Sequence, residues 1–518
     1  VIQSDAKLLW VGNTLYCTWS DRRSGNNQVY LSKADLYPDY PYFEMTSVNY
    51  DEIQGDFDGV INPGETISLI INFEIPANWY VGGEDIFITI SANEDYIELE
   101  NDELFVGEMQ PGDEYENSDD PIIISFNENT PPDDYQINLA IESNIIQNFT
   151  ISLDVSLQQF GFPLEISSMI KSSPLIMDLD NDGSNEVIFG DYSGIIHVFN
   201  NDGTEIIDGT FPYDTGNQIW GSPAGADLNG DGVMEFIISS KSKHLYIFNQ
   251  TGLITDYNAE LYLIGTPAIG NVDDDPDFEI VFSGYSNNNK LFAINHDGSD
   301  VEGFPLDLGE KVKAGVALAD FNNNGKDDIV LGTDNDHIYL IYDDGSTAPG
   351  FPFETDSKIW SDPSILDMDG EKIIFAGSYD GTFYAINGDG SLRFSISAGD
   401  GIVTSPSFTT INDIPYIFFG SKDGYVYAVD TDGNSLAGWP IYVGGWIESS
   451  IAFSDFNNDQ VVEIVVANNM GKISCYNIDG ILYPHFPINY NSEFTSSITI
   501  NDVDMDGDLE ILAGNSNS

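Results

Sequence analysis

Basic side chains are scarce in this chain: 16 Lys and Arg stand against 86 Asp and Glu, a formal charge of −70 over 518 residues. A surface this negative repels the phosphates of nucleic acids and of anionic lipids, so neither is expected as a partner. Cysteine is scarcer still. Cys17 and Cys475 lie far apart in strand-like runs, no Cys/His spacing suits zinc, and no disulfide between them is expected. No apolar run approaches the roughly 18–20 residues of a membrane helix, so no membrane span is expected. The helical period is absent throughout. No basic-then-apolar segment opens the chain, and its first residues read as the interior of a domain. High net charge first suggests disorder. An apolar content of 41% and strong patterning argue instead for packed cores, with much of the charge solvated and part of it in cation-binding loops.

Aromatic residues, by contrast, are plentiful, with 27 Tyr and 31 Phe, which favours strands. From residue 158 onward one unit recurs. It opens as SSPLIMDLDNDGSNEVIFG at 172–190 and as GSPAGADLNGDGVMEFIIS at 221–239, and closes the series as SSITINDVDMDGDLEILAG at 496–514. Corresponding positions are Asp178, Asp227, Asn271, Asp320, Asp367, Thr410, Asp455 and Asp502, spaced by 43 to 49 residues. Each unit reads as four short strands: an apolar stretch, a second run such as EVIFG, an alternating run such as HLYIFN, and a fourth marked Gly-Phe-Pro. That mark falls at Phe211, Phe304, Phe351, Trp439 and Phe486. Four strands per roughly 45 residues is a propeller blade. Seven units are complete and the eighth stops after two strands, so an eight-bladed all-β propeller is expected, with seven blades as the alternative. The segment FGFPLEISS at 160–168 carries the fourth-strand mark ahead of the first unit and is expected to complete the last blade.

The acidic loops carry the chemistry. Their pattern is Asp-x-Asp/Asn-x-Asp/Asn-Gly-x-x-Asp/Glu. It runs Asp178, Asp180, Asp182, Glu186; then Asp227, Asn229, Asp231, Glu235; and Asp320, Asn322, Asn324, Asp328. Asp502, Asp504, Asp506 and Glu510 repeat it in the last unit. Asn271, Asp273, Asp275 and Glu279 have Pro276 at the glycine place, and Asp455, Asn457, Asp459 and Glu463 have Gln460 there. Alternate oxygen ligands in a tight loop converge on one point, which suits calcium. An EF-hand would need a glutamate at loop position twelve and flanking helices, but position twelve of the first loop is Phe189, inside a strand. Two units depart: Asp367-Met-Asp-Gly370 is shortened and Thr410-Ile-Asn412 has lost its carboxylates, so neither is expected to bind calcium.

These units resemble the FG-GAP/VCBS class of calcium-binding propeller repeats, also found in integrin alpha subunits. The SSP opening and alternating third strand are also similar to quinoprotein-type propeller repeats. The resemblance covers about 360 residues and implies the propeller fold and bound calcium. The family spans adhesins, toxin shells and some polysaccharide lyases, so it does not fix a function.

Residues 37–157 alternate as strands do, at Ile67, Leu69, Ile71 and Phe73, at Tyr135 to Ile141, and at Phe149 to Val155. They read as an immunoglobulin-like β-sandwich. GDFDGVINPGE at 55–65 resembles a segment of bacterial secreted modules; Asp56, Asp58 and Glu65 read as a solvated turn, with a further calcium site as the alternative. Residues 1–36 look like the last strands of a sialidase-like propeller blade, without that enzyme's arginine cluster.

Two functions are in contention. One is an extracellular, cell-surface binding or assembly protein whose partner is a protein or glycan, or further copies in an array or filament. The other is a secreted polysaccharide lyase or hydrolase. His197, His244 and His337 fall at ordinary strand positions and His296 in a turn, and no nucleophile elbow, phosphate loop or zinc motif appears. A non-catalytic protein is therefore expected. Trp220, Trp360 and Trp446 lie in connections between units and form the candidate ligand face, unless they serve as channel plugs.

Overall fold

The computed structural model describes residues 4–516, apart from 12–13, 22–27, 36–38, 93–95, 160, 208, 288, 457–458 and 491. Among the described residues the regular structure is all strand. The chain divides into two compact units, Val1–Phe160 and Gly161–Ser518.

In the first unit, β1 (Ser4–Val11), β2 (Thr14–Asp21) and β3 (Gln28–Asp35) form an antiparallel meander. Nine further strands make two antiparallel sheets. One orders β4 (Glu44–Gln54), β5 (Thr66–Glu74), β10 (Ile122–Phe126) and β7 (Ile97–Glu100), with β9 (Glu114–Glu116) also on β5. The other orders β12 (Ile146–Val155), β11 (Asp133–Glu142), β6 (Gly83–Ser91) and β8 (Glu103–Met109). Successive side chains of a strand point to opposite faces. Ile67, Leu69, Ile71 and Phe73 from β5 therefore meet Ile137, Leu139 and Ile141 from β11 in one core shared by both sheets.

The second unit is a β-propeller. It has seven four-stranded antiparallel sheets, each in chain order, followed by a two-stranded sheet. The first comprises β13 (Leu175–Met177), β14 (Glu186–Gly190), β15 (Ile195–Asn200) and β16 (Tyr213–Asp214). The two-stranded sheet comprises Thr499–Asn501 and Glu510–Leu512. Second strands such as β14 are buried along their whole length, because neighbouring sheets cover both faces. Ile188 and Val198 of the first sheet pack on Phe236 and Phe248 of the second. At the other end of the series, Leu512 of the two-stranded sheet and Val503 of its loop pack back on Val187 and Phe189 of the first.

The SSP signature explains how the sheets are joined. Its first hydroxyl closes its own sheet: Ser172 Oγ donates to Gly190 O at 2.7 Å and accepts Gly190 N at 2.8 Å, and Thr404 does the same with Gly420. Its second residue links to the next sheet through the backbone amide. Ser173 N donates to Ser222 Oγ at 2.9 Å, and Ser222 N to Thr266 Oγ1 at 3.1 Å. In the same way Gly315 N donates to Asp362 Oδ1 at 2.6 Å, and Ser450 N to Ser497 Oγ at 3.0 Å. Ser497 N donates to Ser173 Oγ at 3.0 Å, which ties the last sheet to the first. Each link satisfies a backbone donor at the inner edge, where no further strand is available.

The Gly-Phe-Pro mark precedes the fourth strand rather than lying in it, and its X-Pro bonds are cis. Sheets that carry it have fourth strands of two residues, such as Phe353–Glu354. The second and fifth sheets lack it and turn directly into longer ones, Gly252–Asn258 and Leu392–Ser397. The marked glycine locks onto the following sheet. A Cβ on Gly350 would strike the backbone of Asp389, and one on Gly161 would strike that of Asp202. Residues 161–163 thus sit against the first sheet as residues 350–352 sit against the fifth.

Candidate metal centres and the opposite face

Each acidic loop joins a first strand to a second, and the first, second, fourth and seventh share one hydrogen-bond scheme. In the first, Asp178 Oδ1 accepts Asp182 N at 3.1 Å and Oδ2 accepts Gly183 N at 3.0 Å; Asp180 Oδ1 accepts Asp182 N at 3.1 Å. The second repeats this, with Asp227 accepting Asp231 N and Gly232 N, Asn229 accepting Asp231 N, and Asp231 accepting Val233 N. The fourth does so with Asp320, Asn322 and Asn324. In the seventh, Asp455 accepts Asp459 N at 3.0 Å and Gln460 N at 2.7 Å; Asn457 lies outside the described residues. The terminal carboxylate begins the second strand and turns back to the loop. Leu179 N reaches Glu186 at 2.7 Å, Leu228 N reaches Glu235 at 3.0 Å, Phe321 N reaches Asp328 at 2.8 Å and Phe456 N reaches Glu463 at 3.0 Å.

This geometry crowds negative charge. Carboxylate oxygens of Asp178, Asp180 and Glu186 lie within 4.8 Å of one another, as do those of Asp273, Asp275 and Glu279 and those of Asp502, Asp504 and Glu510. Burial, aided by the neighbouring aspartates, pushes the pKa of Glu186, Glu279 and Glu510 up to about 7. Burial likewise raises Asp328 to about 6 and lifts Glu235 and Glu463. Asp506 accepts Asp508 N at 2.8 Å, as Asp182 accepts Ser184 N.

The loops also hold buried oxygens with no hydrogen-bond partner: Asn271 Oδ1, Glu279 Oε1 and Asp502 Oδ1. In the third loop Asp275 N donates to Asp273 Oδ1 and leaves Asn271 Oδ1 without the amide that Asp182 and Asp231 give in theirs, and Pro276 has no N–H to add. A buried acceptor left alone is costly, and oxygen-only donors that converge on a point fit a hard divalent cation.

The fifth and sixth sheets are built differently. Asp369–Gly370 and Asn412–Asp413 are two-residue turns with positive φ throughout, the hairpin type that matches strand twist. In the fifth sheet, Lys372 Nζ sits 3.0 Å from Asp367 Oδ2, so an ammonium neutralises the carboxylate.

In the first unit, Glu52, Asp56 and Asp58 come within reach of one another. Glu65 is instead buried, accepting Asn62 N at 2.7 Å and Asp56 N at 3.3 Å. Four of the five histidines pair with carboxylates: His197 with Glu205 at 2.7 Å, His337 with Glu310 at 2.9 Å, His296 with Asp277 at 3.4 Å, and His244 with Asp256. Cys17 and Cys475 are free, and burial pushes Cys475 up to about 12.

The three tryptophans need a correction. Trp220 and Trp360 stand directly before the SSP-type residues, but Trp446 stands two residues earlier, and the equivalent of Trp220 in its sheet is Glu448. The backbone shows the register: Ile219 N, Ile359 N and Ile447 N make the same bond to the preceding sheet's strand-two end. Trp446 thus matches Gln218 and Lys358. None of the three is bare of partners. Lys171 and Lys241 lie 4.6 and 4.5 Å from the Trp220 ring, Lys313 and Lys358 lie 3.5 and 3.4 Å from Trp360, and Lys422 lies 5.3 Å from Trp446. Sequence reasoning missed these lysines because each unit contributes only one or two.

No curated protein matches the chain. Three solved structures are similar at low identity. BamB from Moraxella catarrhalis is 14% identical with a TM-score of 0.46, over 66% of this chain and 97% of that one. BBS1N in complex with ARL6DN, soaked with lead, is 15% identical with a TM-score of 0.40, over 57% and 91%. The WD40 beta propeller domain of Doa1 is 12% identical with a TM-score of 0.38, over 69% and 93%. Residues 178–238, which run from the first acidic loop through the second and into the strand beyond it, match the family described as the FG-GAP-like repeat.

Proposed function

We propose that this chain is an extracellular, calcium-stabilised propeller protein of a cell surface, working in adhesion, ligand binding or assembly rather than in catalysis. The observation that carries the proposal is one acidic loop at the same place in six sheets, with carboxylate oxygens converging in three of them and buried oxygens left unpartnered in two. Asp178, Asp227, Asn271, Asp320, Asp455, Asp502 and their loop partners would hold the ions. Calcium at millimolar exterior concentrations suits such flexible all-oxygen sites.

The propeller has eight blades in this reading. The last combines the two-stranded sheet with residues 161–166 as its outer edge. An immunoglobulin-like sandwich precedes it. A binding role is supported by His197, His244, His296 and His337, each held by a carboxylate of its own neighbourhood. The ligand is an extracellular protein or glycan, and the tryptophan-bearing end is its face. With −70 charges to overcome, self-association into an array or filament would depend on divalent ions; light scattering with and without calcium reads this directly.

The decisive experiment is thermal unfolding in calcium and in excess chelator. A marked fall in melting temperature on chelation is expected. Superimposable curves would overturn the calcium reading, and sustained release of unsaturated or shortened sugars from an acidic polysaccharide would overturn the non-catalytic one.

A further inference from the structure

Antiparallel order puts the 1–2 and 3–4 turns of every sheet at one end of the propeller. The 2–3 turns and the connections between sheets lie at the other end. The acidic loops occupy the first end. Of the twelve Lys and Arg after residue 160, only Lys326, Lys372 and Arg393 belong to that end. The remaining nine lie in the connections, in the 2–3 turns, or at the first residue of a third strand.

Four of these, Lys171, Lys313, Lys358 and Lys422, come together at the inner edge. Lys171 and Lys313 stand directly before the SSP-type residues of the first and fourth sheets, which line the inner edge. They are far apart in the ring order, yet Lys171 and Lys422 both oppose the charge on Lys313 across the mouth. Burial first, then this repulsion, brings Lys313 down to about 8, against the pull of Glu448 and Asp334. Trp360 Nε1 donates to Asp334 at 2.6 Å, and Lys422 pairs with Glu448 at 2.8 Å. Among the described residues, Lys171, Lys313 and Lys358 have no carboxylate within ion-pair distance, in a chain with 86 acidic side chains. Their ammoniums rest on aromatic rings instead, which hold a cation without neutralising it. Beside them, Trp446 is 51% exposed and Tyr379 38%, with Lys422 over both rings.

We infer that this axial mouth is a binding site for acidic glycans, whose carboxylates or sulfates meet Lys171, Lys313 and Lys358 while a sugar face lies on Trp446 and Tyr379. The inference rests on the binding reading above and gives it a ligand class. Charge complementarity favours an anion at this cluster of ammoniums, and exposed amphipathic rings beside the ammoniums favour a sugar over a bare ion. The surrounding negative surface limits the ligand to a short stretch or chain end.

The test uses the calcium-loaded chain, with calorimetry and tryptophan fluorescence as readouts. Probes are hyaluronan oligosaccharides for carboxylate, heparin oligosaccharides for sulfate, chitin oligosaccharides of equal length as the neutral control, and poly-glutamate. Binding of either acidic glycan is expected, about tenfold or more tighter than the chitin oligosaccharide and weakened by salt. The Lys171→Gln/Lys313→Gln double variant should lose about tenfold in affinity at an unchanged melting temperature. Should that variant misfold, Trp446→Ala, an exposed change, should weaken glycan binding alone. No binding of either acidic glycan, or binding that these variants leave intact, overturns the site. Poly-glutamate binding as tight as the glycans overturns the glycan assignment in favour of an acidic polypeptide. Breakdown of the probe, or a melting curve indifferent to chelator, would strike the proposed function while leaving this site standing.

Discussion

The second and fifth sheets of the propeller make the same connection, from first strand to second, in two ways. The second sheet runs through an Asp/Asn loop that ends on the buried carboxylate of Glu235. The fifth closes at once over Asp369–Gly370 and sets Lys372 against its remaining aspartate. Both solutions leave the core of the second strand buried, Glu235–Ser239 in one and residues 373–377 in the other, so the loop is not needed to build a blade. What the loop adds is a cage of oxygens that the fifth sheet does without. The acidic sheets are therefore expected to depend on a cation from solution, while the fifth carries its own and the sixth needs none.

Chelation should separate the two designs most widely. A site saturated at about a thousand times its Kd contributes about 4 kcal/mol, and the propeller has six such loops coupled through shared cores. Hydrogen exchange in chelator should rise in strands next to the acidic loops, such as Glu186–Gly190, before it rises in Glu371–Gly377. Uniform exchange across both would break the comparison.

Acidity should act with opposite sign in the two states. Glu186, Glu279 and Glu510 have folded pKa values of about 7 against an ordinary 4.5, chiefly through burial. An acid with a raised folded pKa holds its proton more tightly in the native state. Its contribution is complete below the unfolded value and is lost as pH rises through the folded one. The chelated protein should therefore melt higher at about pH 5 than at about pH 8. In calcium the order should reverse, since protons then compete with the metal for the same oxygens. The same slope in both conditions would show that these carboxylates hold no ion.

A single substitution sharpens this. Glu279 Oε2 accepts Val272 N at 2.5 Å and Asp273 N at 3.1 Å, while Oε1 has no partner. Glu279→Gln keeps an acceptor for the amides and removes the charge. It should stabilise the chelated protein and destabilise the calcium-loaded one, each by an amount on the order of 1–3 kcal/mol, the range for a buried polar group gaining or losing its partner. A change of the same sign in both conditions would mean the loop is a polar turn and nothing more.

Much of this was legible in the sequence, and the reason is locality. The acidic loops and the alternations Ile67–Phe73 and Ile137–Ile141 are short-range patterns that local chemistry dictates. What escaped depends on residues one repeat or more apart. The amide-to-hydroxyl links through Ser173, Ser222 and Ser497 join positions about 45 residues apart or at opposite ends of the unit. The lysines of the axial mouth arrive singly, from different sheets, so no stretch of chain looks basic. Trp446 was grouped with Trp220 and Trp360 because all lie in connections, and only backbone pairing reveals its offset of two residues. The ammonium of Lys372 was hidden because its role depends on a turn two residues long.

The smallest effect probes the loop from within. Gly183, Gly232, Gly325 and Gly507 take the sixth loop position with positive φ, between 86° and 104°. In the seventh sheet Gln460 takes that place at a φ of 72°, and its N–H still reaches Asp455 Oδ2 at 2.7 Å. A side chain with a Cβ held in this region costs about 1–2 kcal/mol, whereas glycine there loses more freedom on folding, about 0.5–1 kcal/mol. Gln460→Gly should therefore stabilise the protein by about 0.5–1 kcal/mol net. Gly183→Gln, the reverse change in the first loop, should cost a similar amount, since nothing lies within 4 Å of a Cβ there and only the backbone is at stake. Both are read as shifts of the denaturant midpoint at constant slope, in calcium and in chelator. Equal shifts in the two conditions would place the strain in the chain itself. A shift for Gln460→Gly confined to calcium would mean that glycine improves the ligand geometry, bringing the seventh loop closer to the first, second, fourth and eighth.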